Sequence, residues 1–165
     1  MSQAPSAPAP SPTVRPAARG DVGRLADLYR AARDELVTAR GGRVLLGLQA
    51  RHEPVEDSFG EQLGGREQLV LVGVLGGEVA GYGTCRAVPL AGGELLGSVE
   101  ELFVLPGARR NGVGRAMSGA LLDWCRAQGC AGVDAKALPG SRAVKSFFEA
   151  EGFTARVLVM HRPLG

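Results

Sequence analysis

The sequence predicts an α/β domain of the α+β type, with a central mixed, mostly antiparallel sheet of about six strands and helices on both faces. Three observations carry that expectation. The apolar period changes from helical spacing to strand-type runs near Glu67. Gly76-Gly77 separates two such runs, EQLVLVGVL and EVAGYGTCRAV, as the two-residue signal of a tight hairpin. Residues 98–137 read as strand, glycine turn, helix and strand, a crossover unit whose two strands must run parallel.

Each element follows from its residues. The Pro/Ala/Ser tract of residues 1–12 lacks apolar side chains to offset the entropy of ordering, so a flexible tail is expected ahead of a single domain over residues 13–165. Thr13 to Pro16 reads as a short edge strand. Asp21 is placed to cap a helix in which Val22, Leu25, Leu28 and Tyr29 recur at helical spacing, ending near Val37. Residues 40–54 read as an irregular arm, because Gly41-Gly42 breaks the pattern and Pro54 forbids a helix running through it. A short helix is expected from Asp57 or Ser58 to Gly64-Gly65. After the hairpin, SVEELFVL is a strand ended by Pro106, and a helix from Arg115 to Gln128 carries the stripe Met117, Leu121, Leu122 and Cys125. Gly129 closes it as a C′ residue. Residues 130–137 read as a strand, 141–151 as a helix stopped by Gly152, and 153–162 as a last strand.

Composition narrows the class. At 165 residues and 45% hydrophobic content the chain can bury one sizeable core, and no run approaches the roughly 18 apolar residues of a membrane span. The N-terminus has neither a basic nor an apolar signal region, so a cytoplasmic protein is expected. Nineteen basic against seventeen acidic residues, a formal charge of +2, make neither nucleic acid nor an anionic membrane the leading partner. Cys85, Cys125 and Cys130 contain no CxxC pair, and neither His52 nor His161 stands at ligand spacing from them, so no metal is expected and core thiols are the plain reading.

The stretch richest in chemistry is Arg109-Arg110-Asn111-Gly112-Val113-Gly114, between a strand and a helix. Its glycines permit a tight turn, and the first helical turn leaves N–H groups without intrahelical partners. With the positive end of the helix dipole and Arg109, Arg110 and Arg115, such a start suits a pyrophosphate. Taken alone, a GxG between basic residues is equally a glycine-rich turn with solvated arginines. No GxxxxGK[ST] run is present, and Met117 stands where GxGxxG needs its third glycine, which disfavours a nucleoside triphosphate or a nicotinamide dinucleotide.

The segment VEELFVLPGARRNGVGRAMSGALLDWCRAQG resembles the central motif of the GNAT superfamily of acyl-CoA N-acetyltransferases, through Leu102, Val104 and Pro106, then Arg109, Gly112 and Gly114. VRPAARGDVGRLADLY is similar to that family's first strand and helix, and AVKSFFEAEGF to its last helix, with Gly152-Phe153 as the closing pair. The resemblance implies a splayed sheet in which backbone groups around Phe103 and Val104 pair with the pantetheine arm of acetyl-CoA. It also implies that the amides from Arg110 to Arg115, with Asn111 and Val113 between them, hold the pyrophosphate. The partners it implies are acetyl-CoA and an amine acceptor, and the only basis for a homodimer is its frequency in the family.

For acetyl transfer the acceptor amine must be neutral, and at pH 7 only about one lysine-like amine in a few thousand is so. Glu100 and Glu101 stand on the strand beside the expected thioester. Because strand side chains alternate, only one faces the cleft unless a bulge redirects both. In polyamine-acetylating members of that family an acidic pair occupies a similar place, and the resemblance makes Glu100 the first choice as base, through water, and Glu101 the group that binds or attracts the cation, with solvated edge charges as the alternative for each. The family's usual general-acid tyrosine is replaced by Phe148, leaving Ser146 as a substitute, and Ser141 replaces a frequent asparagine and reads as an N-cap before a pantetheine ligand. Tyr82 reads first as core and second as a cleft residue. An acyl-CoA-binding sensor with little turnover is the competing function.

Overall fold

The computed structural model describes residues 10–165. The first nine residues of the expected tail therefore lie outside the described part. Five strands form one sheet in the order β1 (Thr13–Pro16), β2 (Gln68–Leu75), β3 (Glu78–Pro89), β4 (Leu95–Val104) and β5 (Cys130–Ala135). The first three pairings are antiparallel and β4 with β5 is parallel, as the crossover required. Leu75 pairs with Glu78 across Gly76 (φ 59°) and Gly77 (φ 85°), the left-handed turn that a two-residue hairpin needs.

Successive residues of β2 serve opposite cores. Val70 and Val72 join Leu25, Leu28 and Tyr29 of α1 (Val22–Val37) and Val55 and Phe59 of α3 (Val55–Gln62) on one face. Leu71 joins Val113, Met117, Leu121 and Cys125 of α4 (Val113–Ala127) on the other. A glycine decides how close α4 sits: a Cβ on Gly73 would lie 2.6 Å from Val113 Cγ1 and 2.9 Å from the Met117 sulfur. Any larger residue there would lift the start of α4 off the sheet.

Several expectations need correction. Residues 42–49 of the supposed irregular arm form the helix α2 (Gly42–Gln49). Gly41, at φ 80°, turns the chain, and its carbonyl accepts the Leu45 amide, so the helix begins after the glycine and ends before Pro54. Helix α3 begins at Val55, directly after Pro54, rather than at Asp57 or Ser58. Asp21 occupies the N-cap of α1 but makes no side-chain bond to it. Its carboxylate instead pairs with Arg15 at 2.7 Å and accepts the Ala18 amide at 2.8 Å.

Among the described residues the sheet has five strands rather than about six. After α5 (Arg142–Ala150), closed by Gly152 at φ 88°, residues 154–165 adopt no strand and make no backbone hydrogen bonds among the described residues. β5 is the last strand of the sheet, and the expected sixth strand does not pair with it. No helix among the described residues is long and apolar enough to cross a membrane.

Candidate active site

Strand β4 creates the site because its two edges end differently. Thr84 of β3 pairs with Glu101 and Cys85 with Val99, so Glu100 has no partner and forms a β-bulge. On the other edge, pairing with β5 stops at Val99 opposite Ala135, although β4 continues to Val104. The sheet is therefore forked beside residues 100–104. The Leu105 amide donates to Ala80 O at 2.9 Å, which turns residue 105 toward β3. By alternation the backbone groups of Leu102 and Val104 face the fork. Phe103 does not share that orientation. Its carbonyl points to β3, 2.6 Å from where a Cβ on Gly81 would stand, so its backbone belongs to the ladder and the edge position falls to Leu102. One edge group is already engaged: Arg109 Nε donates to Val104 O at 2.9 Å.

The bulge resolves which glutamate faces the cleft, because both do. Glu100 and Glu101 line one cleft of about 470 Å³, together with Arg51, His52, Glu61, Gln62, Thr84 and Arg86. Their surroundings differ. Glu101 Oε1 accepts from Tyr82 Oη and Oε2 from Thr84 Oγ1, each at 3.2 Å, and the carboxylate is ion-paired with Arg51. Arg51 is itself nearly buried, bonded to Gln62 at 2.7 Å and stacked 3.7 Å from the centre of the Phe59 ring. Both oxygens of Glu101 are thus occupied and its charge is offset. Glu100 Oε1 accepts from Ser98 Oγ at 2.6 Å and Arg86 Nε at 3.1 Å, whereas Oε2 has only Lys136 at 3.6 Å. Burial pushes the Glu100 carboxyl up, but Ser98, Lys136 and Arg86 outweigh it and hold the group below the usual range. Glu100 is consequently an ionised carboxylate with an oxygen to spare.

Arg51, Thr84 and Ser98 escaped sequence reasoning. Arg51 lay in an arm of mixed charge, and nothing local signals its return across fifty residues to β4. Tyr82, 1% exposed, is a core residue whose hydroxyl reaches Glu101. Burial, and then Glu101, keep that phenol protonated by raising its pKa well above the ordinary value.

At the end of β4 the chain enters the arginine-bearing turn. Gly112 is the N-cap of α4 at φ 82°, and its carbonyl accepts the Ala116 amide at 2.9 Å. The amides of Val113, Gly114 and Arg115 thus begin the helix without intrahelical partners. Asn111 Nδ2 donates to the carbonyls of Arg109 (3.0 Å) and Ala108 (3.3 Å), bracing the turn from inside. Arg109 is held by Glu35 at 2.6 Å and Arg115 by Glu151 at 3.0 Å. Among the described residues Arg110 has no charged partner, and it is the one non-glycine at positive φ, 61°. A left-handed arginine costs roughly 1–2 kcal/mol. Arg110→Gly is therefore expected to raise stability by up to about 1 kcal/mol, and thermal unfolding of that variant checks the sign.

Helix α5 packs on this end of the site. A Cβ on Gly114 would meet the Phe147 ring at 3.4 Å and Val104 Cγ2 at 3.8 Å. Phe148 packs between Phe147 and Phe153, at centroid distances of 5.3 and 5.2 Å. Ser146 is exposed on α5 and does not line the cleft of Glu100 and Glu101. Ser141 occupies the N-cap of α5 through its carbonyl, which accepts the Lys145 amide, and makes no side-chain cap bond. Cys85 and Cys125 are buried with sulfurs 3.3 Å apart, and burial pushes both thiols up. Among the described residues no group of three or more His, Cys, Asp or Glu side chains is arranged to hold a metal.

The site thus combines a forked sheet, helices on both faces and a glycine turn after the bulged strand. Residues 27–153 match the model of the acetyltransferase (GNAT) family, and the chain belongs to that family. No curated protein matches it. Among solved structures it is similar to an acetyltransferase described as putative from Agrobacterium tumefaciens, at 18% identity and TM-score 0.72, covering 92% of this chain and 99% of that one. It is also similar to AAC(6')-Iy in complex with the bisubstrate analog CoA-S-monomethyl-acetylneamine, at 17% identity and TM-score 0.70, covering 92% and 97%. A third likeness is to an aminoglycoside acetyltransferase from an uncultured soil metagenomic sample, at 17% identity and TM-score 0.68, covering 93% and 95%. At these identities the likeness establishes the fold.

Proposed function

We propose that the chain, as a single domain over residues 13–165 in the cytoplasm, transfers an acetyl group from acetyl-CoA to a primary amine by direct attack in a ternary complex. The observation that carries the reading is the position of Glu100, a carboxylate with a spare oxygen on the cleft wall at the point where β4 loses its neighbour. The backbone edges of Leu102 and Val104 suit a pantetheine arm laid in as an added strand. The start of α4, with Gly112, Val113, Gly114 and Arg110, suits the pyrophosphate by its unpaired amides, dipole and charge.

The cleft supports a cationic acceptor through Glu100, whose Oε2 has only Lys136 at 3.6 Å beside it, whereas Glu101 is taken by Arg51 and Glu61 by His52. Glu100 Oε2 holds the water through which the ammonium loses its proton, and the neutral nitrogen then attacks the thioester carbonyl. Glu101, paired with Arg51, fixes the cleft wall. That is a positioning role, in place of the cation-attracting role that the resemblance implies. Departure of the thiolate needs no tyrosine, because a thiol with pKa about 8.5 leaves without full protonation. Ser146, exposed away from the cleft, is given no part in that step.

Glu100→Gln keeps the shape and removes the base. It is expected to lower kcat by roughly 100-fold or more, the scale of general-base catalysis, with CoA affinity unchanged. The pH profile adds a sign. Glu100 is ionised at and above the usual carboxylate range, so kcat/KM should show no acid limb from it above about pH 5. It should instead climb tenfold per pH unit as the acceptor amine, with pKa about 10.4, becomes neutral. The reading itself is tested by amine-dependent thiol release from acetyl-CoA across a panel of amines. Binding of acetyl-CoA without release across the panel would replace the enzyme with an acyl-CoA sensor, for which Phe148 in the place of the tyrosine is the favouring observation.

A further inference from the structure

We propose that Lys136 is a site of self-acetylation: acetyl-CoA bound in the fork transfers its acetyl group to Lys136 Nζ of the same molecule, with Glu100 as the base. The inference rests on the reading of Glu100 given above. Composition first makes Lys136 conspicuous. Of 19 basic residues only Lys136 and Lys145 are lysines, and the rest are arginines, whose guanidiniums stay protonated and offer no lone pair to a thioester. Side-chain amines are thus confined to two positions, and one of them stands at the fork.

Pairing of β4 with β5 ends at Val99 opposite Ala135, and Lys136 is the next residue. From there its side chain, 54% exposed, reaches back to β4, where Nζ lies 3.6 Å from Glu100 Oε2. That oxygen is the spare one, because Ser98 and Arg86 both engage Oε1. The Lys136 amine therefore stands at the base, in the place of an external ammonium, and beside the gap between β4 and β5 that suits the pantetheine arm. At 3.6 Å the pair is too long for a hydrogen bond and is half open to water, so an unbranched four-carbon stem is free to swing the amine to the thioester. Lys145 is the contrast. It is 65% exposed, and its partner at 3.1 Å is Glu149 of its own helix. The step balances without a further reactant. Glu100 takes a proton from the Lys136 ammonium, and the neutral nitrogen attacks the thioester carbonyl. The N–C bond forms, the C–S bond breaks, the nitrogen sheds its second proton to solvent, and the departing thiolate takes the proton held by Glu100. The product is a neutral amide, which relieves Oε2 of its cationic neighbour and limits the event to one per chain.

The test incubates the full chain with acetyl-CoA and no added amine, then maps acetyl groups by peptide mass spectrometry. Lys136 is expected to gain one acetyl group while Lys145, the internal measure of uncatalysed acetylation, stays near background. Glu100→Gln should slow the labelling of Lys136 by roughly 100-fold, with binding of acetyl-CoA by calorimetry showing that the variant is folded. Equal labelling of the two lysines, or of Lys136 with and without Glu100, would overturn the proposal. A tagged Glu100→Gln chain mixed with an untagged Lys136→Arg chain separates the routes: acetyl-Lys136 on the tagged chain would show transfer between molecules and sink the internal one. Amine-dependent thiol release by a wild-type chain whose Lys136 stays unmodified would overturn this inference and leave the proposed function standing. Neither release with any amine nor acetyl-Lys136 would overturn both.

Discussion

Gly112→Asp, with Gly114→Asp in the same chain, is expected to abolish measurable CoA binding by calorimetry, a loss of at least about 100-fold in Kd, or roughly 2.7 kcal/mol. Two effects add. Residue 112 stands at φ 82°, where any side chain costs roughly 1–2 kcal/mol, and the strain falls on the residue that sets the direction of the first helical amides. A carboxylate at each position also brings negative charge to the end of α4 that favours an anion. A side chain introduced at position 114 enters the space between Phe147 and Val104, where a methyl just fits and a carboxylate does not. Gly112→Ala separates strain from charge: it should weaken binding by about tenfold only. Unchanged affinity in the double aspartate variant would remove the pyrophosphate from this turn.

Arg51→Ala should be the most destabilising single substitution in the cleft. The Arg51 side chain is 10% exposed and that of Glu101 is 20% exposed, and removing the cation strands the carboxylate with only Tyr82 and Thr84 as donors. Breaking a buried pair in this way costs about 3–5 kcal/mol, which for a domain of this size lowers Tm by about 10 °C. The stacking on Phe59 and the bond to Gln62 are lost as well. Adding Glu101→Gln to the variant should recover part of the loss, since the unpaired charge is then gone. A cost below about 1 kcal/mol for Arg51→Ala, read by thermal or urea unfolding, would show that the pair behaves as an exposed ion pair.

The elements legible in the sequence were those whose signals are local. Gly76-Gly77 announced the hairpin, the stripe of α4 announced its buried face, and Gly129 and Gly152 ended their helices, because turn chemistry and helical period act over a few residues. The glycine turn that opens α4 was legible for the same reason, since glycines, arginines and a helix start stand in one short run. Where local signals conflicted, the reading failed. Gly41-Gly42 read as a break rather than as the entry to α2, and Asp21 read as a cap until Arg15 took its carboxylate.

The tertiary structure alone decided three matters. The bulge at Glu100 turned both glutamates into one cleft, because register is a property of the β3 and β4 pair and not of either strand. Arg51 met Glu101 from an unremarkable arm, because ion pairs between residues far apart in the chain carry no sequence period. The last apolar run has the composition of a strand, but a strand exists only with a neighbour to bond, and within one chain β5 does not become that neighbour. Patterns within a segment are written in the sequence, whereas the choice of partner for each edge, charge and apolar face is made only when the segments meet.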